Sequence, residues 1–78
     1  MKLIIWKAIV SSVVAYGCRN ILIGDERGVV SSVIVPDNLL EFNFKAHDSE
    51  IHCLHAEETR IITAAEDRTI RVWRLAMG

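Results

Sequence analysis

Apolar and polar side chains alternate along most of this chain in short runs, and turn-forming residues separate the runs. Leu40, Phe42 and Phe44 give one such run, with a polar residue after each. A period of two residues is that of a β-strand with one buried face. The pattern predicts an all-β chain without helices. The predicted strands are Lys2–Trp6, Val10–Ala15, Ile21–Gly24, Val29–Val35, Leu39–Lys45, Glu50–His55, Arg60–Ala65 and Thr69–Leu75.

The chain is similar to itself when it is shifted by 41 positions. The matched pairs include Val10 with Ile51, Ala15 with Ala56, Arg19 with Arg60, Ile21 with Ile62, and Arg27 with Arg68. A repeat of about 40–45 residues with four strands is typical of a β-propeller blade. The chain is therefore predicted to be one unit, residues 1–78, with the strand content of two blades.

Four residues in the second copy form a recognisable set: His47, Thr63, Asp67 and Trp73. An indole N–H needs an acceptor, and a threonine hydroxyl both accepts and donates, so these side chains suit a buried hydrogen-bonded network. Their types and order make residues 46–75 resemble one repeat of the WD40 family. The resemblance implies that the four residues are structural, and that the chain is a binding platform without catalytic activity.

The first copy, residues 1–45, resembles the family only weakly. At the 41-residue offset its matching residues are Trp6, Leu22, Glu26 and Ser32, which cannot form the same network. We predict that apolar packing and strand pairing alone hold this blade together. The first strand precedes a complete blade, and no outer strand follows Leu75. The predicted fold is thus about two four-stranded antiparallel WD40-like blades, part of a β-propeller completed by other chains or copies.

Composition limits the function classes. The 78 residues have a formal net charge of −1, so no strong field for binding nucleic acid is present. No apolar run reaches the roughly 20 residues that a membrane-spanning helix needs. With two cysteines, Cys18 and Cys53, the chain lacks a disulfide framework, which favours a reducing compartment. We predict an intracellular protein, cytoplasmic or nuclear, without a cofactor.

A different interpretation treats the N-terminus as a lipoprotein signal. Met1–Lys2 and a mostly apolar stretch precede Cys18, the residue at which such a signal would be cleaved. Lys7 and the serines that follow it interrupt the apolar stretch, and this favours the intracellular interpretation.

The residue types also allow two chemical interpretations, which strand alternation and the family resemblance oppose. His47, His52, Cys53 and His55 are zinc-ligand types, but side chains alternate along a strand, so a complete ligand set is not expected. Thr63, His47 and Asp67 are the residue types of a hydrolase triad, but the family resemblance gives them a structural role. The sequence predicts neither a metal site nor an enzyme.

The expected partner is another protein, or further copies of this chain. Turns and loops at one edge of a propeller carry most partner contacts, and here five charged residues are candidates: Asp25, Arg27, Asp48, Glu50 and Arg68. Two blades cannot close a ring, and exposed strand edges favour association. The alternative to a heteromeric assembly is a homo-oligomeric ring, in which three or four copies supply six or eight blades.

Overall fold

The computed structural model describes residues 8–16, 19–35, 37, 39–57 and 59–74. These residues form seven strands and no helix. The strands are β1 (Val10–Tyr16), β2 (Asn20–Asp25), β3 (Val29–Ile34), β4 (Leu39–Lys45), β5 (Ile51–Ala56), β6 (Arg60–Ala65) and β7 (Ile70–Arg74). The first four make one antiparallel sheet in the order β1-β2-β3-β4, and the last three make another in the order β5-β6-β7. The all-β, blade-like architecture is confirmed, while the predicted strand Lys2–Trp6 and the position of Leu75 lie outside the described residues.

The two sheets have the same internal construction. In each, the register of the first strand pair shifts at the second residue, between Val10 and Ser12 in β1 and between Ile51 and Cys53 in β5. In each, the second hairpin closes through a tight turn that contains a residue with positive φ. The sheets are therefore two copies of one structural unit.

The strand registers correct the predicted repeat offset. Val13 pairs with Ile23 in the first sheet, and Leu54 pairs with Thr63 in the second. Leu54 lies 41 positions after Val13, but Thr63 lies 40 positions after Ile23. The connection between the first two strands is one residue shorter in the second unit, so the 41-residue match is wrong for the strands that follow it.

A shift of one residue exchanges the two faces of a strand. The structural equivalents of Thr63, Asp67 and Trp73 are consequently Ile23, Arg27 and Val33. The predicted equivalents Leu22, Glu26 and Ser32 are wrong by one position, and Trp6 lies outside the described residues. Ile23 and Val33 are 4% and 2% exposed, so two apolar side chains stand where the second unit has polar ones.

The main core lies between the two sheets. Its buried members are Leu22, Val30, Ala46, Ile51, Leu54 and Ile61, and the partly buried side chains around them are Val14, Phe42, Phe44, Ala56 and Trp73. Each large aliphatic side chain in such a core contributes about 1.5–3 kcal/mol through burial. The core also joins the aromatic rings of the two sheets, because the Phe44 and Trp73 centroids are 4.9 Å apart at an angle of 60°.

The sheets approach most closely at Gly24 in β2. A Cβ atom on this residue would lie 2.9 Å from Ile51 Cγ2 and 3.2 Å from Leu54 Cδ1. The side chains of β5 therefore rest directly on the backbone of β2, and glycine is needed for that approach.

Candidate functional site

The four side chains of the predicted polar set are brought together at one end of the second sheet. His47 Nε2 lies 2.7 Å from Thr63 Oγ1, and Trp73 Nε1 donates to the same oxygen at 3.1 Å. His47 Nδ1 lies 3.3 Å from Asp67 Oδ2. Thr63 and His47 are 0% and 1% exposed. The set links the β4–β5 loop, β6, the β6–β7 turn and β7 through side-chain hydrogen bonds.

The partners of the imidazole assign its tautomer. The Asp67 carboxylate only accepts, so Nδ1 carries the proton, and the Thr63 hydroxyl donates to Nε2 while it accepts from the indole. Every polar group of the buried part is thus paired, which makes the network stabilising.

Thr69 is a member of this network that the sequence analysis missed. Its amide donates to Asp67 Oδ1 at 3.0 Å, its hydroxyl donates to the same oxygen, and its Oγ1 lies 3.1 Å from His47 Nδ1. The hydrogen bonds from Thr69, together with His47, outweigh partial desolvation and hold the pKa of the Asp67 carboxyl at about 2, below its usual 3.8. The sequence signal for this role is an aspartate two positions before a threonine in a turn.

Further hydrogen bonds tie the neighbouring loops to one another. The amides of Ala46 and His47 both donate to the Gly28 carbonyl, at 2.8 and 3.1 Å. Ser49 Oγ accepts from the Asp67 amide at 3.0 Å, and Arg71 donates to the Ala46 carbonyl at 2.6 Å. The β2–β3 turn of one sheet is thereby fixed to the β6–β7 turn of the other through the β4–β5 loop. We call residues 25–28, 46–50 and 66–69 the loop edge.

Asp25 requires a correction. It was predicted to be an exposed partner-binding residue, but it is 0% exposed. Its carboxylate accepts from the amides of Arg27 and Val29, at 2.9 and 3.2 Å, and from the Arg27 guanidinium at 2.8 Å. Burial alone would raise the pKa of the Asp25 carboxyl, but these hydrogen bonds outweigh burial and lower it. Asp25 therefore shapes its own turn and is not available to a partner.

The four other candidates are exposed side chains of the loop edge. The exposed side-chain fractions are 56% for Arg27, 93% for Asp48 and 48% for Glu50, and Arg68 is also exposed. Glu66 adds a negative charge beside these candidates, and His52 Nε2 lies 2.6 Å from its carboxylate. The loop edge therefore presents both positive and negative side chains on a backbone that the hydrogen bonds between the loops hold in place.

The first sheet also contains a polar network, which corrects the prediction that only apolar packing and strand pairing hold it. Ser32 Oγ donates to Glu41 at 2.9 Å, and Asn20 donates to the same carboxylate at 3.0 Å. The register between β3 and β4 shifts between Ser32 and Val33, opposite the position of Glu41. This irregularity places a carboxylate beside two polar side chains of neighbouring strands.

The arrangement of the histidines and Cys53 does not assemble a ligand set. Both ring nitrogens of His47 are used inside the buried network, and His52 contacts glutamates. Within the described part of the chain, no group of three or more His, Cys, Asp or Glu residues is placed to hold a metal ion. Cys53 is a free, exposed thiol, and Cys18 lies outside the described residues.

Comparison with known proteins identifies the repeat. Residues 38–74 match the family model of the WD domain, G-beta repeat, so the resemblance of this part of the chain to a WD40 repeat is confirmed. WD40 repeats are generally protein-interaction modules without catalytic activity, and propeller domains of this family generally bind protein partners. No helix long and apolar enough to cross a membrane occurs in the part of the chain that the structure describes.

One human protein is similar to this chain in sequence, and two solved structures are similar to it in fold. The chain is 36% identical over 55 residues to the kinesin-like protein KIF21A of Homo sapiens, which is 69% of this chain but 3% of that protein. The crystal structure of the computationally designed Ika4 protein superimposes with a TM-score of 0.74 at 19% identity, over 86% of this chain and 41% of that one. The crystal structure of the computationally designed Ika8 protein superimposes with a TM-score of 0.75 at 20% identity, over 85% of this chain and 20% of that one. The chain thus spans less than half of each of these proteins.

Proposed function

We propose that this chain is a non-catalytic protein-interaction module, a partial propeller completed by other chains or copies, and that it presents the loop edge to a protein partner. The observation that carries the proposal is the contrast within that edge. Arg27, Asp48, Glu50 and Arg68 are exposed, while the backbone beneath them is fixed by the buried set around His47. A loop backbone that is already fixed loses little conformational freedom on binding, and this favours recognition.

The charge distribution supports a partner with both acidic and basic groups. Arg27 and Arg68 lie in the turns of the two sheets, and Asp48 and Glu50 lie in the loop between them. Such alternation gives specificity through complementary charges more than through total affinity. A folded protein or a charge-patterned peptide fits this surface better than a polyanion, which would meet the carboxylates.

The buried chemistry supports a structural function. The Thr63 hydroxyl, the residue type of a nucleophile, is 0% exposed and is shared between His47 and Trp73. A substrate has no approach to it without disruption of the network. The same groups stabilise the turn that carries Arg68.

The test is quantitative affinity capture from a cell extract with the wild-type chain, Arg68→Glu and Asp48→Lys. We expect at least one protein to be captured by the wild-type chain and lost, by about tenfold or more, with both variants, since a like-charge contact costs a kcal/mol or more. Arg19→Glu is the matched control, because Arg19 is exposed beside the β1–β2 connection, at the opposite end of the strands. Capture that is equal for all four proteins, each with wild-type thermal unfolding, would contradict the proposal.

A further inference from the structure

Two apolar surfaces remain exposed on opposite sides of the molecule. One is the face of the second sheet that points away from the first. We call it the outer face; its apolar members are Cys53, Ile62, Ala64, Ile70 and Val72, and the polar His55 lies beside Ile62. Ile70 and Val72 are 73% and 59% exposed. The other is the free side of β1, where Val10 and Val13 are 41% and 57% exposed, and we call it the β1 flank. Large exposed aliphatic side chains grouped in this way indicate an interaction surface.

The internal repeat shows how each surface is used elsewhere in the same chain. Val10 and Val13 are equivalent to Ile51 and Leu54, which are 0% and 7% exposed because they pack against the first sheet. Ala64 and Ile70 are equivalent to Gly24 and Val30. These two residues belong to the surface of the first sheet on which the β5 side chains pack. The β1 flank thus corresponds to the β5 side chains that pack on the first sheet, and the outer face corresponds to the surface of the first sheet on which they pack.

The sizes of the side chains match across this repeat. In the internal contact, Ile51 and Leu54 rest on Gly24, which lies between Ser12 and Val30 in a row of neighbours across the strands. The equivalent row on the outer face is Cys53, Ala64 and Ile70, again small, small and β-branched.

The differences between the two rows compensate one another. Ala64 and Ile70 each carry one carbon more than their equivalents, Gly24 and Val30. Val10 and Val13 each carry one carbon fewer than Ile51 and Leu54. Packed interiors tolerate volume-conserving exchanges far better than added volume. A valine pair on an alanine therefore suits the same spacing as the larger pair on a glycine.

From this complementarity we infer that the outer face binds the β1 flank of a second copy of this chain, head to tail. The contact joins two different surfaces, so each copy retains one open end, and further copies extend the stack until it closes. The inference rests on the proposed role of a propeller completed by partners, and it names the partner. It does not involve the loop edge.

The test uses two variants, each blocked at one end, in the full 78-residue chain. Val13→Glu places a charge on the β1 flank, and Ile70→Glu places one on the outer face. Both side chains are mostly exposed, so folding should be retained, as circular dichroism would show. Sedimentation equilibrium should find the wild-type chain in multi-copy species and each variant alone as a monomer. An equimolar mixture of the two variants should form a 1:1 dimer, because it restores one intact interface.

Further variants keep the test specific. Val35→Glu changes an exposed valine outside both surfaces and should assemble like the wild-type chain. Ala64→Leu should weaken assembly by steric overlap without added charge. A wild-type monomer up to about 1 mM, the weak end of specific association, would overturn the inference. So would an assembly that Ile70→Glu leaves intact, or a mixture that stays monomeric. If the wild-type chain does not assemble but still captures a protein through the charges of the loop edge, this inference is refuted and the proposed function is not.

Discussion

Gly28 and Arg68 occupy the same position in the tight turns of the two sheets, and both have positive φ, 81° and 68°. Their amides donate to equivalent carbonyls, those of Asp25 and Ala65, at 3.1 Å in each case. Only the surroundings differ. A Cβ atom on Gly28 would lie 1.9 Å from the His47 carbonyl oxygen, whereas Arg68 is exposed and its side chain extends into solvent.

Exchanges at this position should therefore have opposite effects. Gly28→Ala should lower the free energy of unfolding by about 3 kcal/mol or more, since the added methyl meets backbone that the β4–β5 loop cannot easily move. Arg68→Gly should leave stability unchanged or raise it by up to about 1 kcal/mol, because it relieves left-handed strain at some cost in chain entropy. Urea unfolding measures both. Equal effects at the two positions would mean that the contact with His47 does not matter.

The Thr63 hydroxyl is the shared atom of the buried network, and its removal should be costly. Thr63→Val keeps the shape of the side chain but leaves His47 Nε2 and the Trp73 indole without a partner. We expect a loss of about 2–3 kcal/mol, the cost of unsatisfied buried polar groups. Thr63→Ser retains the hydroxyl and should lose only about 1 kcal/mol for one methyl group. If urea unfolding shows the two variants to be equally stable, the network contributes nothing beyond packing.

The lowered pKa of Asp67 predicts how stability changes with acid. Because the folded-state pKa of about 2 lies below the usual 3.8, the contribution is present above pH 3.8 and is lost as the pH falls towards 2. Asp67→Asn should therefore remove part of the acid sensitivity, and its stability should converge with that of the wild-type chain near pH 2. The measurement is the free energy of unfolding in urea from pH 2 to pH 6.

Asp48→Asn is the matched control for this pH dependence. It makes the same chemical change at a side chain that is 93% exposed and that lies outside the buried network. The control should keep the wild-type profile. The free energy of unfolding could instead change equally with pH in the wild-type chain and in Asp67→Asn between pH 4 and pH 2. In that case the Thr69 and His47 bonds to this carboxylate would be unimportant to folding.

Much of the fold follows from local pattern, but the exact repeat does not. Alternation places the seven described strands within one or two residues, because one buried face imposes a period of two. The offset was misjudged because Ile21 and Ile62, or Arg27 and Arg68, match by residue type. Turn geometry decides otherwise: Gly28, not Arg27, shares the left-handed position of Arg68. An arginine with positive φ cannot be recognised from the sequence, because arginine usually has negative φ.

The candidate site was predictable to the extent that its members have special chemistry. A tryptophan, a histidine and a threonine at family spacing indicated the buried set. Asp25 was misplaced because an aspartate at the start of a turn either faces solvent or accepts from the amides that follow it. The Arg27 guanidinium and the amides of Arg27 and Val29 favour the second arrangement, and the residue type of Asp25 alone does not decide between the two.

The aromatic contact between Phe44 and Trp73 should make the two sheets energetically dependent on each other. Phe44 belongs to β4 of the first sheet, Trp73 to β7 of the second, and their centroids are 4.9 Å apart in a tilted arrangement. A double-mutant cycle with Phe44→Leu and Trp73→Leu should give a coupling of about 0.5–1.5 kcal/mol, typical of such ring pairs. The cycle cancels the bond from the indole to Thr63, because that bond is absent whenever Trp73 is replaced.

Phe42 provides the control cycle. It stacks on Phe44, with centroids 6.3 Å apart, and makes no ring contact with Trp73 among the described aromatic pairs. The cycle of Phe42→Leu with Trp73→Leu should therefore give a coupling of less than about 0.5 kcal/mol. Equal coupling in the two cycles would mean that the rings interact only through general packing.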